Sequence, residues 1–139
     1  MVVITKDQLQ FIVNHAQTTY PEECCGFLLG INSEEKRVHS AISVPNVNQK
    51  SRSNRYNIDP LELVRADEAA LRANLDLIGI YHSHPDAPPE PSKIDREYAW
   101  PNYTYIIVSL ENRVTKEVRA WQLNDDKSTF QSEDLRIIE

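Results

Sequence analysis

The sequence predicts an α+β fold with a largely antiparallel or mixed sheet. Two clear helix signatures and several strand-length apolar runs occur along the chain, and they do not alternate strictly, as a wound parallel sheet would require. The 139 residues fit one domain on the usual prior of roughly 100–200 residues per domain. A chain of this length can bury a core without staples.

The first helix is expected over residues 5–17. Thr5 and Gln8 have the spacing of a capping box, in which each side chain satisfies a free backbone N–H. Leu9, Ile12, Val13 and Ala16 share one helical face. Pro21 should end the helix or lie just beyond it. Residues 25–30 (CGFLLG) read as a buried strand and Lys36 to Val44 as its partner, with residues 31–35 as the turn. Residues 45–54 are polar and read as a loop, and Tyr56-Asn57-Ile58 as extended. A second helix is well marked. Asp59 is its N-cap, Pro60 its first residue, and Glu62 suits its positive start. Leu61, Val64, Leu71 and Leu75 form the stripe expected to face a core. Glu68 falls on the same stripe, and the helix ends near Asn74 or Leu75.

Residues 76–84 (DLIGIYHSH) are apolar at first and polar at the end. They read as a central strand that emerges into a site. A proline-rich loop and a short helix from about Ser92 follow. Residues 103–110 and 118–123 read as further strands, and 135–138 as a last strand or a tail element.

Charge and cysteine content narrow the function. The formal net charge of −6 argues against a general phosphate-backbone binder. No apolar run reaches the roughly 18 residues of a membrane span. The N-terminus lacks the basic start and apolar stretch of a secretory signal. The two cysteines, Cys24 and Cys25, are adjacent. Neighbours seldom bridge, so the pattern is that of a reducing compartment, most simply the cytoplasm.

The segment from His82 to Asp95 carries the chemistry. On a strand, residues two apart point to one face, so His82 and His84 aim two imidazoles into one volume while Ser83 points away. Two imidazoles and one carboxylate are a sufficient protein set for catalytic zinc, with the fourth position open. Asp95 supplies the carboxylate from the first turn of a helix that starts at Ser92. Four of the eight prolines crowd into residues 85–91 and stiffen the connecting loop. Each piece has an ordinary reading by itself: His-x-His as a polar strand end, Ser-x-x-Asp as a capping device. It is their order and spacing together that point to a metal site. Such a hydrolase also needs a general base that is not a ligand. Glu22 or Glu23, just before the strand at Cys25, could project into the same cleft, and residue chemistry alone does not choose between them.

Here the sequence resembles the JAMM (MPN+) metalloprotease family. His82-Ser83-His84, seven residues, Ser92, two residues and Asp95 fit the family pattern without a gap. Glu23-Cys24-Cys25-Gly26-Phe27-Leu28-Leu29-Gly30 looks like the family's glutamate-bearing segment and favours Glu23 over Glu22. The resemblance spans roughly Thr5 to Leu110. It implies a curved mixed sheet flanked by helices, similar to the cytidine-deaminase fold, in the compact prokaryotic branch. It further implies one zinc ion on His82, His84 and Asp95, with Glu23 as the proton carrier and Ser92 as a hydrogen-bond donor to the developing oxyanion. The expected reaction is hydrolysis after the C-terminal glycines of a ubiquitin-like or sulfur-carrier protein. Neither nucleic acid nor membrane is expected as a partner, and a homodimer is one possible assembly. There is no room for the long insertions with which eukaryotic members hold ubiquitin, which argues against a lysine-linked ubiquitin chain as substrate.

Two other functions compete with this one. Related domains without the metal residues serve as binding scaffolds, whereas this chain keeps the full set. A zinc deaminase would offer paired Cys-x-x-Cys ligands, and none occurs. Cys24 and Cys25 are read as buried strand residues rather than ligands or nucleophiles, because His82, His84 and Asp95 already supply the protein ligands. His15 and His39 are read as ordinary surface or core residues, Trp100 and Trp121 as packing residues, and Arg52 and Arg55 as solvated loop charges.

Overall fold

A computed structural model describes residues 1–139. The elements in chain order are β1 (Val2–Thr5), α1 (Lys6–Thr19), β2 (Cys25–Ile31), β3 (Lys36–Val44), α2 (Pro60–Arg72), β4 (Asp76–Pro85), α3 (Lys93–Tyr98), β5 (Thr104–Glu111), β6 (Val114–Leu123), β7 (Phe130–Glu133) and β8 (Leu135–Ile138). All eight strands join one sheet in the order β7-β6-β5-β4-β2-β3-β1-β8. The sheet is mixed. β4 is antiparallel to β2 and parallel to β5, and β1 is parallel to both β3 and β8. This is the expected α+β class.

Each face of the sheet has its own core. On one, Ile12 and Ala16 of α1 pack over Leu28, Ile78, Tyr81 and Ile106. On the other, Ala66 of α2 joins Phe27, Ile80, Tyr105 and Leu123. A bulge in β4 assigns side chains to these faces. Leu28 pairs with Gly79 but Leu29 pairs with Leu77, which leaves Ile78 as an extra residue. An extra residue interrupts the two-residue alternation of a strand. Ile78 and Ile80 consequently lie in opposite cores, and Leu77 and Ile80 in the same one. From Ile80 onward alternation resumes, so His82 and His84 follow Ile80 on the α2 side.

Several expectations need correction. β1 and β7 were not anticipated, and β6 starts at Val114 rather than residue 118. β1 is only four residues long and is held by strands from distant parts of the chain. The helix at Thr5 runs on to Thr19. Thr5 caps it by accepting from the Gln8 N–H, but the Gln8 side chain accepts from Ala41 N–H instead of returning to the cap. Tyr56–Ile58 forms no strand and is tied to the loop by the Val47 N–H on the Asn57 carbonyl. The largest correction concerns α2. Leu61, Val64 and Leu71 are 53%, 51% and 78% exposed. Ala66 and Ala70 are the buried residues, with Leu63 packed partly against the core. Small side chains let the helix lie close to the sheet, and the larger residues are left on its outer side.

Candidate metal centre

β4 lies between β2 and β5, and its end carries the two histidines. The β2–β4 ladder ends at the Cys25–His82 pair. Ser83 extends the connection by one residue. Its N–H donates to the Cys24 carbonyl at 3.2 Å, and its hydroxyl accepts from the Cys24 N–H at 2.8 Å. Gly26 permits this packing, because a Cβ there would lie 2.3 Å from both the Tyr81 ring and the Ile42 carbonyl oxygen.

The loop after β4 is anchored through three successive carbonyls. Ala87 accepts from the Ser109 hydroxyl at 2.5 Å, Pro88 from His84 Nδ1 at 2.7 Å, and Pro89 from Trp121 Nε1 at 2.9 Å. This brings the chain to Ser92, the N-cap of α3. Ser92 Oγ accepts from the Asp95 N–H, and the Asp95 carboxylate accepts from the Ser92 N–H, which completes a capping box. The capping and site roles of Ser-x-x-Asp are thus not exclusive.

The three side chains converge. His82 Nε2 and His84 Nε2 are 3.1 Å apart, and Asp95 Oδ2 lies 3.2 Å and 3.0 Å from them. Glu23, 3% exposed, also faces the imidazoles. One of its carboxylate oxygens and one nitrogen of each histidine all lie within 4.8 Å of one another. Glu22 turns outward and pairs with Arg52, so of the two glutamates only Glu23 belongs to the cluster.

Electrostatics follow from burial and close charge. Burial pushes the Asp95 carboxyl up, but the His82 and His84 imidazoles and the Ser92 N–H outweigh it and hold the group far below the usual carboxylate range. Burial lowers His82, and Asp95 only partly offsets that. Burial also opposes charge on His84, yet Asp95 and the Pro88 carbonyl bring its pKa above the ordinary value. The Glu23 carboxyl is pushed up to about 8. Burial is the main cause, opposed by His84 and reinforced by Asp95.

The donor set suits a metal ion. A carbonyl only accepts, so the Pro88 contact places the proton of neutral His84 on Nδ1 and leaves a lone pair on Nε2 facing the cluster. A tetrahedral ion with metal–nitrogen bonds of about 2.0–2.1 Å sets its ligand atoms roughly 3.3 Å apart, close to the separations found here. Glu23 Oε1 and His82 Nδ1 are buried without a hydrogen-bond partner. The His82 ring is covered instead by Tyr56, stacked at 4.6 Å and 27°. Beside the cluster lies a cavity of about 500 Å³ with Phe27, Tyr56, Leu63, Trp100 and Tyr103 in its walls and Asp95 at its edge.

Cys24 and Cys25 are buried. Burial raises the Cys24 thiol to about 12 and moves Cys25 in the same direction, which fits core residues and not nucleophiles. His15 is not solitary: its Nδ1 meets the Tyr81 hydroxyl at 2.7 Å. Four residues around the centre escaped sequence reasoning: Asn46, Tyr56, Ser109 and Trp121. Trp121 does more than pack, since its Nε1–H holds the Pro89 carbonyl. Each acts across a long sequence separation, and no local spacing signals that.

A mixed sheet that gathers two imidazoles and two carboxylates into one buried cluster defines a class, a domain able to hold a metal ion. The chain belongs to the prokaryotic homologs of the JAB domain, whose family model matches residues 5–124. It is similar to a desampylase from Haloferax volcanii, 40% identical over 117 residues, covering 81% of this chain and 83% of that protein. It is also similar to a CysO-cysteine peptidase from Mycobacterium tuberculosis, 27% identical over 140 residues, covering 100% and 92%. A protein from Desulfitobacterium hafniense with a solution structure shares the fold at a TM-score of 0.87 and 27% identity, covering 100% of this chain and 94% of its own.

Proposed function

We propose that this chain is a zinc-dependent peptidase or isopeptidase that hydrolyses the bond after the C-terminal glycines of a ubiquitin-like or sulfur-carrier protein. The observation that carries the reading is the meeting of His82, His84 and Asp95 within 3.2 Å of one another, with the Glu23 carboxylate beside them. His82, His84 and Asp95 would hold one zinc ion. The desampylase and CysO-cysteine peptidase relatives support the substrate class. Residues 1–139 act in this reading as one domain in the cytoplasm. No helix is long and apolar enough to cross a membrane.

Zinc in this position supplies Lewis acidity and lowers the pKa of water from 15.7 to about 7. Glu23 accepts a proton from the attacking water and returns it to the leaving amine. Its carboxylate is buried and faces the imidazoles, a placement that suits a group that takes and gives a proton at this site. Ser92 Oγ already accepts the Asp95 N–H. A hydroxyl keeps its own proton when it accepts, so Ser92 can donate to the substrate oxygen as negative charge develops. The neighbouring aromatic cavity receives substrate residues next to the scissile bond.

The test is incubation of zinc-loaded protein with a ubiquitin-like protein fused at its Gly-Gly end. Cleavage after the glycines that stops on chelation is expected. A purified chain that holds no metal and leaves the fusion intact would point instead to a binding scaffold.

A further inference from the structure

We propose that Asn46 is a positioning residue of this centre, a side-chain clamp that sets where the Glu23 carboxylate stands beside the histidine pair. The inference rests on the reading of Glu23 as proton carrier. Glu23 lies after the end of α1 and before the first residue of β2. The sheet fixes Cys25, and Ser83 fixes Cys24. Glu23 is held differently. Its N–H donates to the Arg52 carbonyl at 2.7 Å, and its own carbonyl accepts from Asn46 Nδ2 at 3.0 Å. Both partners come from the loop between β3 and α2.

Asn46 uses the whole capacity of its amide, two N–H donors and one oxygen with two lone pairs. Nδ2 also donates to the Arg55 carbonyl at 2.9 Å, and Oδ1 accepts from the N–H groups of Asn48 and Asn57, both at 3.1 Å. Rotating the amide by half a turn would set oxygen against two carbonyls and NH₂ against two N–H groups, so one orientation is enforced. Arg55 and Asn57 flank Tyr56, whose ring covers His82. One side chain therefore ties the Glu23 backbone to the segment that packs on a histidine of the cluster. Aspartate has no donors for the two carbonyls, and serine has only one. The Asn46 amide does not itself touch the reacting atoms. It acts through the placement of Glu23 and Tyr56.

Two variants test this. Asn46→Ala removes all four bonds. Asn46→Asp keeps acceptors for Asn48 and Asn57 but deletes both donors, and so cuts the ties to the Glu23 and Arg55 carbonyls alone. In each folded variant kcat should fall about 10- to 100-fold, the scale of a misplacement of about 1 Å, while KM and zinc content stay near wild type. In a Glu23→Gln background, adding Asn46→Asp should lower the residual rate no further. Hydrogen exchange provides a readout independent of activity: the Glu23 amide should exchange faster in Asn46→Asp, with the amides of Phe27 and Leu28 unchanged. Wild-type kcat in Asn46→Asp, or unaltered Glu23 exchange, overturns the proposal. So does an undiminished loss in the Glu23→Gln background, which would mark a general structural role. If wild type itself cleaves no fusion, the proposed function falls, and the exchange measurement still decides whether the clamp exists.

Discussion

Replacing Glu23 by Gln changes a proton carrier into an amide of nearly the same shape. The variant is expected to bind zinc as wild type does and to lose at least about 100-fold in kcat, the lower end of what general acid–base catalysis contributes. Metal analysis beside a cleavage assay checks both halves, and a near-normal rate would remove Glu23 from the mechanism. His84→Ala and Asp95→Asn should lose zinc as well as activity. The same assay therefore separates metal ligands from the proton carrier. Gly26→Ala should destabilise the chain by about 1–3 kcal/mol, the usual cost of overpacking, because the new Cβ has a backbone oxygen and a ring at 2.3 Å. Urea denaturation measures it. Residues of this kind were readable to different degrees. His82, His84, Ser92 and Asp95 stand in one short stretch with a strand period and a helix start, which spacing can reveal. Glu23 needed the family resemblance to be separated from Glu22. Asn46 and Tyr56 could not be found, since their contacts depend on how a loop folds back over the site.

At the scale of elements, α2 shows how a hydrophobic stripe can mislead. Leu61, Val64 and Leu71 share a helical face, yet the side toward the sheet carries the small Ala66 and Ala70 together with Leu63. Periodicity identifies a helix. Which face is buried depends on how near the helix comes to its neighbour. Leu71→Glu should then change stability by no more than about 0.5 kcal/mol, as surface substitutions do, whereas Ala66→Leu should cost about 1–3 kcal/mol. Equal effects in thermal denaturation would contradict the observed orientation. β1 and β7 were unreadable for a related reason. Each is four residues long, too short for a clear period, and each is defined by its partners.

For the molecule as a whole, pH dependence has a contribution remote from the metal centre. Burial lowers the pKa of His15 below the ordinary 6.5. Between those two values the unfolded chain binds a proton that the folded chain does not. Stability from this source is fully present above pH 6.5 and is lost as pH falls through 6.5 towards the folded value. The zinc-loaded protein should therefore lose more melting temperature between pH 7 and pH 5.5 than a His15→Gln variant does. Parallel curves for the two would show that His15 does not contribute. The α+β class was legible because strong helix and strand signals lie in mixed order. The full strand order was not, because β1 sits between β3 and β8 and so brings together both ends and the middle of the chain.

The bulge at Ile78 has a consequence for how this sequence can vary. Leu77 is committed to the α2 side, and a single surplus residue brings His82 and His84 to that same side. Losing the surplus residue would heal the bulge and leave both imidazoles on the α2 side, whereas losing Tyr81, past the bulge, would rotate both toward α1, with Asp95 and Glu23 stranded across the sheet. Where a deletion falls relative to the bulge would thus decide whether the chemistry survives, with every functional residue intact in either case.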